Sequence, residues 1–401
     1  MPDTSRPETA KPVSASPSAK QTVAQSVSPP IKARDPRLDV FRGLCLVMIF
    51  INHVPGNAFE AFTSRNFGFS DAAEGFVLMS GIAAGLAYSA DFGTPLRLWQ
   101  GLARVWKRVW TLYLVHIMTT AAALGAAAAT ALYLGNSEIL FENNMAMLWR
   151  NPLGTLIGIP TLGHQFGYVN ILPLYLVLLF AAPLMLWLAW RWPRWLWAGS
   201  AVLWMVSGYW RLGLPNYPQS GTWFFNPLTW QLIFVTGLLT GVAMKSGRRL
   251  VPVRLWLQVL TGALLVFALA ATQIQPVAKA MGNSFWWLKE TLYLPWNLLA
   301  FDKTFVSGPR LLHILALAYF LSSFPAVRRA CASSLAAPFE LLGRQALPVF
   351  ALGSVLCIGL QGIRHVTGHH LGLDILLIGG GLALQFALAA ARHSWPKPAR
   401  V

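Results

Sequence analysis

Along the chain, apolar runs of about twenty residues, each enough to cross about 30 Å of hydrocarbon, alternate with short basic or aromatic stretches. Ten such runs stand out, at approximately 38–57, 70–90, 109–134, 168–190, 195–212, 228–245, 253–272, 309–326, 345–363 and 372–391. None has the strict two-residue alternation of a half-buried strand, and each is too long for one. The pattern predicts an all-α polytopic membrane protein with about ten transmembrane helices and both termini cytoplasmic. The third run follows a basic stretch, "RLWQGLARVWKRVW", that reads as the start of an interfacial helix. Residues 1–33 are rich in Pro, Ser, Ala and Thr and have no apolar core, so they read as a disordered cytoplasmic tail. The expected division is therefore tail 1–33, membrane domain 34–392 and a short cytoplasmic C-terminal tail 393–401.

Composition supports a membrane setting: 55% of the 401 residues are hydrophobic and 11% charged, where soluble chains carry about a quarter charged. The net charge of +17 does not indicate nucleic acid, which needs the basic residues gathered on one folded surface. Here 23 of the 31 Lys and Arg residues fall in alternate connections and the tails, the bias expected of cytoplasmic segments. The other connections, 135–167, 213–227 and 273–308, are long and rich in Trp, Phe, Asn and Pro, as suits interfacial and re-entrant segments on the outer side. Cys45, Cys331 and Cys357 have unrelated spacings and suggest neither a disulfide framework nor a metal site. "RHVTGHH" places His365 and His369 four apart, but no acidic third ligand except Asp374 has a telling offset. No metal is assigned there.

The polar residues inside the apolar runs carry the chemistry. In "RLDVFRGLCLVMIFINH", Arg42 and His53 are eleven residues apart, close to three turns, so they share one helix face about 16 Å apart along the axis. Asp39 joins the same stripe, and Asn52 neighbours His53. One reading is an Asp39–Arg42 ion pair with helix-end anchoring. The other is a polar seam through the bundle with His53 as a base, because ionisable groups at membrane depth usually face a cavity. In the second run, Ser70 or Asp71 can cap a helix. Glu74 lies at a depth comparable with His53, where a carboxylate would orient the imidazole and raise its basicity. Gly81, Ala83, Ala84 and Gly85 permit close helix packing.

Arg104, Lys107, Arg108 and, two turns on, His116 place cations where phosphates or an acyl carboxylate would be held; a snorkelling basic cluster also accounts for Lys107 and much of Arg104. Trp223, Asn226, Trp230 and Gln231 in "WFFNPLTWQ" read as a wet aromatic rim suited to sugar rings, or as an ordinary aromatic belt. Lys303, Arg310 and His313 head the eighth run, as anchors or as partners for a carboxylate.

"RDPRLDVFRGLCLVMIFINHVPGN" followed by "RNFGFSDAAEGFVLMSG" resembles the OpgC family, bacterial inner-membrane proteins that succinylate osmoregulated periplasmic glucans. The likeness extends from about Arg34 to Arg392, with "WFFNPLTWQLIFVTG" and "DKTFVSGPRLLHILALAYF" as further similar blocks. More distantly, the arrangement is similar to the acyltransferase-3 superfamily. That likeness puts the superfamily's first-helix Arg and catalytic His on Arg42 and His53, its acidic residue on Glu74 and its basic pair on Arg104 and Arg108. The chain departs from that pattern in reading "FVLMSG" and in separating the basic pair by three residues rather than two. The transmembrane glucosaminide acetyltransferases share the "LDVFRG" start, so those letters alone do not define a substrate.

The resemblance implies an O-succinyltransferase of the inner membrane. Succinyl-CoA is then a co-substrate and no cofactor is permanently bound. The expected catalytic residues are His53, Glu74 and Asp39. Arg42, Arg104, Arg108 and His116 are expected to bind the acyl-CoA. Asn52, Asp71, Trp223, Asn226, Trp230, Gln231, Lys303, Arg310 and His313 are expected to bind the glucan. An acetyltransferase acting on another envelope glycan, or a polytopic transporter, are the competing readings.

Overall fold

The computed structural model describes residues 35–368 and 370–396. The expected tail over residues 1–33, His369 and the end of the C-terminal tail lie outside them. Among the described residues the chain forms helices and turns, with a single isolated antiparallel bridge between Pro215 and Thr222 and no strand.

Helix α1 runs over Pro36–Asn52. Its start follows from the sequence: the Asp35 carboxylate accepts the N–H of Arg37 at 3.1 Å, and Pro36 fills the first position, where a missing N–H is harmless. Helix α2, Ala72–Tyr88, opens with a reciprocal capping box in which Asp71 accepts the N–H of Ala73 and Glu74 accepts the N–H of Asp71. Helix α3, Leu98–Leu134, is 37 residues long and ends at Gly135 in the left-handed region (φ 70°). At about 55 Å it outruns the hydrocarbon. The basic stretch and the third apolar run are thus one continuous helix rather than an interfacial helix followed by a span.

There follow α4 (Ile171–Arg191), α5 (Pro193–Tyr209), α6 (Pro227–Lys245), α7 (Leu255–Gln273), α8 (Gln275–Leu292) and α9 (Gly308–Ser323). The chain closes with α10 (Pro325–Cys331), α11 (Ala337–Arg344), α12 (Ala346–Thr367) and α13 (Leu371–Ser394). All ten apolar runs are helical. Among the described residues seven helices are long and apolar enough to cross a membrane, α2 being counted with the turn that extends it to Phe92, and α9 with α10 makes an eighth candidate bent by 85°. Helices α1 and α5, at 17 residues each, are shorter. The protein is a multi-pass membrane protein.

Two glycine crossings set the helix packing. Gly81 and Gly85 of α2 face Gly237 and Gly241 of α6, and a Cβ on any of the four would collide with a backbone carbonyl of the opposite helix. Backbones approach this closely only where side chains are absent, which is the role expected of the small residues in α2. Gly43 of α1 and Gly343 of α11 form a second reciprocal crossing, each against the other helix's carbonyl.

Polar groups tie the helix ends into two separate sets. At the end where α1 begins, Arg37 donates to the Ser322 carbonyl at 3.1 Å, Lys245 to Leu86 at 2.9 Å and the Trp190 indole to Ser89 at 2.5 Å. At the end where α1 finishes, Asn136 donates to the Gly362 carbonyl at 3.0 Å. There too the buried Arg364 pairs with Asp374 and donates to the Gly56 carbonyl at 2.8 Å, while Asp374 accepts the N–H of Ala58 at 2.8 Å. These bonds pin the loop after His53 onto α12 and α13.

The α2–α6 crossing makes a direct prediction. Gly237→Ile should lower the thermal unfolding midpoint of the detergent-solubilised protein, with a destabilisation of about 1–3 kcal/mol. Gly380→Ala, at a glycine with open space around it, should leave the midpoint unchanged or raise it. Equal midpoints for the two variants would refute close packing at the crossing.

Candidate active site

A cavity of about 1030 Å³ opens at the end of the bundle where α1 finishes and α2 and α9 begin. Asn52 and His53 enter it from α1, and Ser70 and Asp71 from the start of α2. Asn143, Asn144, Tyr168 and Asn170 come from the connection between α3 and α4, Phe224 and Phe225 from the segment before α6, and Lys303 and Arg310 from the approach to α9. Thr272, Met281 and Phe301 complete one side. Amides, aromatic rings and a few charges converging on one concavity make a binding site for a polar ligand.

His53 is the residue at which α1 stops. Its backbone N–H still bonds to Ile49 at 3.0 Å, and its carbonyl accepts Gln361 Nε2 at 2.5 Å. The Oε1 of Gln361 in turn accepts Asn143 Nδ2 at 2.9 Å. One amide of α12 therefore joins the end of α1 to the α3–α4 connection. The imidazole lies 4.5 Å from the Tyr168 ring at 51°. Tyr168 has φ 66°, a left-handed conformation that costs a non-glycine residue about 1–2 kcal/mol, so the surrounding packing holds it there. Asn143 (φ 52°) and Asn144 (φ 66°) share that conformation, which asparagine tolerates better. On its other side His53 borders a small, mostly apolar void of about 10 Å³, lined by Leu46, Ile49, Phe50, Phe350, Gly353, Ser354 and Gln385. His53 thus lines both the large cavity and this small void.

Four charges form the adjoining wall. Asp71 accepts Lys303 Nζ at 2.6 Å and Arg310 Nη2 at 3.2 Å, while fully buried Glu74 accepts Arg310 Nε at 2.7 Å. Glu74 Oε2 is taken by the N–H of Asp71 at 3.0 Å. Both Glu74 oxygens are therefore engaged away from His53, and Glu74 does not line the cavity. Its expected role of orienting the imidazole is corrected to that of partner for Arg310 and cap for α2. Asp39 is fourteen residues from His53, about 21 Å along α1, and pairs with Arg42 at 3.3 Å and Arg344 at 4.0 Å. It belongs to the opposite end of the helix and cannot support an imidazolium at His53.

The residues expected to bind acyl-CoA divide in two. Arg42 donates to Asp39, to the Gly343 carbonyl at 3.5 Å and to the Met79 carbonyl at 3.4 Å. Arg104 pairs with Asp91 and stands 5.7 Å over the Tyr88 ring. Arg108 is within electrostatic reach of Tyr88 and Tyr175, and Arg42 shares Tyr175. His116 does not join the arginines: it is buried on α3, and neither ring nitrogen has a hydrogen-bond partner among the described residues.

The residues expected to bind glucan are likewise sorted. Asn52, Asp71, Lys303 and Arg310 line the cavity, with Asn52 Oδ1 accepting Thr63 Oγ1 at 2.8 Å. Trp223, Asn226, Trp230 and Gln231 do not: all four are buried structural residues. Asn226 caps α6, accepting the N–H of Leu228 at 3.1 Å and donating to the Leu212 carbonyl at 2.6 Å. Gln231 bonds to Ser200 through both amide atoms. The Trp230 indole donates to the Lys303 carbonyl at 3.1 Å, so it positions a cavity residue from behind. His313 is buried against Ser70, its Nδ1 2.7 Å from the hydroxyl, and steadies the residue before Asp71.

Sequence reasoning missed Tyr168, Asn143, Asn144, Asn170 and Gln361. The available signal was the cluster of amides in "FENNMAM" and "FGYVN", unusual in a connection between apolar helices. His365 lies 3.7 Å from Glu142, and among the described residues no three His, Cys, Asp or Glu side chains cluster as metal ligands.

Over residues 34–397 the chain matches the OpgC protein family. It belongs to that family. No curated protein and no solved structure gives a match. OpgC membership indicates a glucan-modifying, acyltransferase-type enzyme in a membrane, with a glucan as acceptor. A cavity walled by amides and aromatic rings agrees with the OpgC acceptor class.

The four-charge wall of this OpgC protein predicts a stability pattern. Arg310→Met leaves Glu74 buried without its cation and should cost about 3–5 kcal/mol. Combining it with Glu74→Leu should recover much of that loss. Unfolding in detergent measures both, and additive losses would show that the two side chains act independently.

Proposed function

We propose that the protein transfers a succinyl group from succinyl-CoA to a sugar hydroxyl of a periplasmic glucan, with His53 as general base. Ten spans are assigned, with the short helices α1, α5 and α9 completing the set. The Lys and Arg bias supports cytoplasmic termini, an inner-membrane location and a cavity opening to the periplasm. The observation that carries the reading is that His53 lines both the large cavity and the small, mostly apolar void beside it.

In this reading the nucleotide of succinyl-CoA meets Arg42, Arg104 and Arg108 at the basic end, and the thioester approaches His53 through the bundle. The glucan enters the cavity, where aromatic faces and the amides of Asn52, Asn143 and Asn144 suit sugar rings. A sugar hydroxyl is a weak nucleophile. As its oxygen attacks the thioester carbonyl carbon, its proton passes to the imidazole; the carbon–sulfur bond then breaks, and the imidazolium returns the proton to the leaving thiolate. The Tyr168 ring, 4.5 Å from the imidazole, packs against it. Similarity to the acyltransferase-3 superfamily would likewise imply Arg42 and His53 as its first-helix cation and base.

The test is transfer of radiolabelled succinyl from succinyl-CoA to purified periplasmic glucan by detergent-solubilised protein. His53→Gln and His53→Ala should each lower the rate by about 100- to 10,000-fold without shifting the unfolding midpoint by more than a few degrees. Rates within tenfold of wild type would remove His53 as the base.

A further inference from the structure

Resting on the transferase reading above, we propose that Lys303 is the specificity residue for a dicarboxylic acyl group, receiving its free carboxylate while the thioester is at His53. From the carbonyl carbon of a four-carbon diacid to the oxygens of its far carboxylate is about 5 Å, so a cation that holds it lies within about 8 Å of the reacting carbon. Arg42 is three turns of α1 from His53, about 16 Å away, and its guanidinium is directed at Asp39 and at carbonyls of α2 and α11. The cations at the basic end are therefore out of range of the group being transferred, although they suit the nucleotide.

Among the cations of the cavity wall, Lys303 combines a place in the cavity that His53 enters with spare donor capacity. It lines the same cavity as His53. An ammonium has three N–H donors, and among the described residues Lys303 spends one, on Asp71 Oδ2 at 2.6 Å. Its side chain is 28% exposed to the cavity and stands 5.6 Å over the Phe225 ring. Arg310 is more deeply committed, with its guanidinium divided between Glu74 and Asp71. Arg65 is exposed at the cavity's edge, where water competes for any anion it meets. The Lys303 backbone is itself held by the Trp230 indole, so the ammonium is presented from a fixed segment. An acyl group arriving from the apolar side of His53 points its far end into the cavity, toward this lysine. An acyl group without the second carboxylate makes no use of it.

The experiment compares succinyl-CoA with butyryl-CoA, equal in carbon number and lacking the charge, in the glucan transfer assay. Lys303→Met should lower the succinyl-to-butyryl ratio of kcat/KM by about 10- to 100-fold, and Lys303→Arg should keep most of it. Asp71→Asn, which preserves the helix cap but releases the ammonium from its carboxylate, should raise the ratio and provides a second readout if Lys303→Met unfolds. Equal loss of both acyl groups in Lys303→Met, or a fall of the ratio in Arg65→Gln instead, overturns the assignment while leaving the transferase intact. Wild-type protein that transfers neither acyl group overturns both readings.

Discussion

The structure depends on charge neutrality where α2 and α9 begin. Asp71 and Glu74 occupy the first turn of α2 and Arg310 the first turn of α9, with Lys303 just before it; the two carboxylates and two cations are interlocked at 2.6–3.2 Å. An ion buried without its partner costs several kcal/mol, so neither helix can shift along the other without exposing a charge to an apolar interior. This locks one wall of the cavity. It also uses both oxygens of Glu74, which leaves His53 beside an aromatic ring and an amide relay rather than against a carboxylate.

Around this wall the two halves of the site are built by different means. Near the basic end, the Gly43–Gly343 and Gly81–Gly237 crossings bring helices into backbone contact, and Arg42 donates to carbonyls of α2 and α11 there. At the other end the cavity exists because long connections fold over the bundle. Gln361 links the α3–α4 connection to the end of α1, while Arg364 and Asp374 clamp the loop that follows His53. Left-handed Tyr168 shows that these connections are held in place, since such a backbone does not persist without support. His53 is where the two halves meet.

Much of this was legible from the sequence and some was not, for definable reasons. Apolar run length and helix-start chemistry located all ten runs as helices, and the polar residues at the ends of the first, second and eighth runs supplied His53, Asp71, Lys303 and Arg310 for the cavity. The partner of Glu74 was not legible: Arg310 is 236 positions away, and depth in a helix says nothing of direction around it. Trp223, Asn226, Trp230 and Gln231 look like a solvent-facing rim until α5 and the segment carrying Lys303 pack against them. Asn143, Asn144 and Tyr168 matter through loop conformation, which hydrophobic periodicity does not encode. The helical depth of Asp39 excluded it from His53 on rise per residue alone, a calculation that the shared stripe had obscured.

A glucan whose hydroxyl is to meet an acyl group at His53 must occupy the cavity beside that residue. The most direct measurement is labelling of a His53→Cys variant in spheroplasts by a membrane-impermeant maleimide, with and without purified glucan. The native Cys45, Cys331 and Cys357 are buried and provide the background. The expected result is labelling from the periplasmic face that saturating glucan suppresses. Labelling indifferent to glucan, or none in the folded protein, would contradict it.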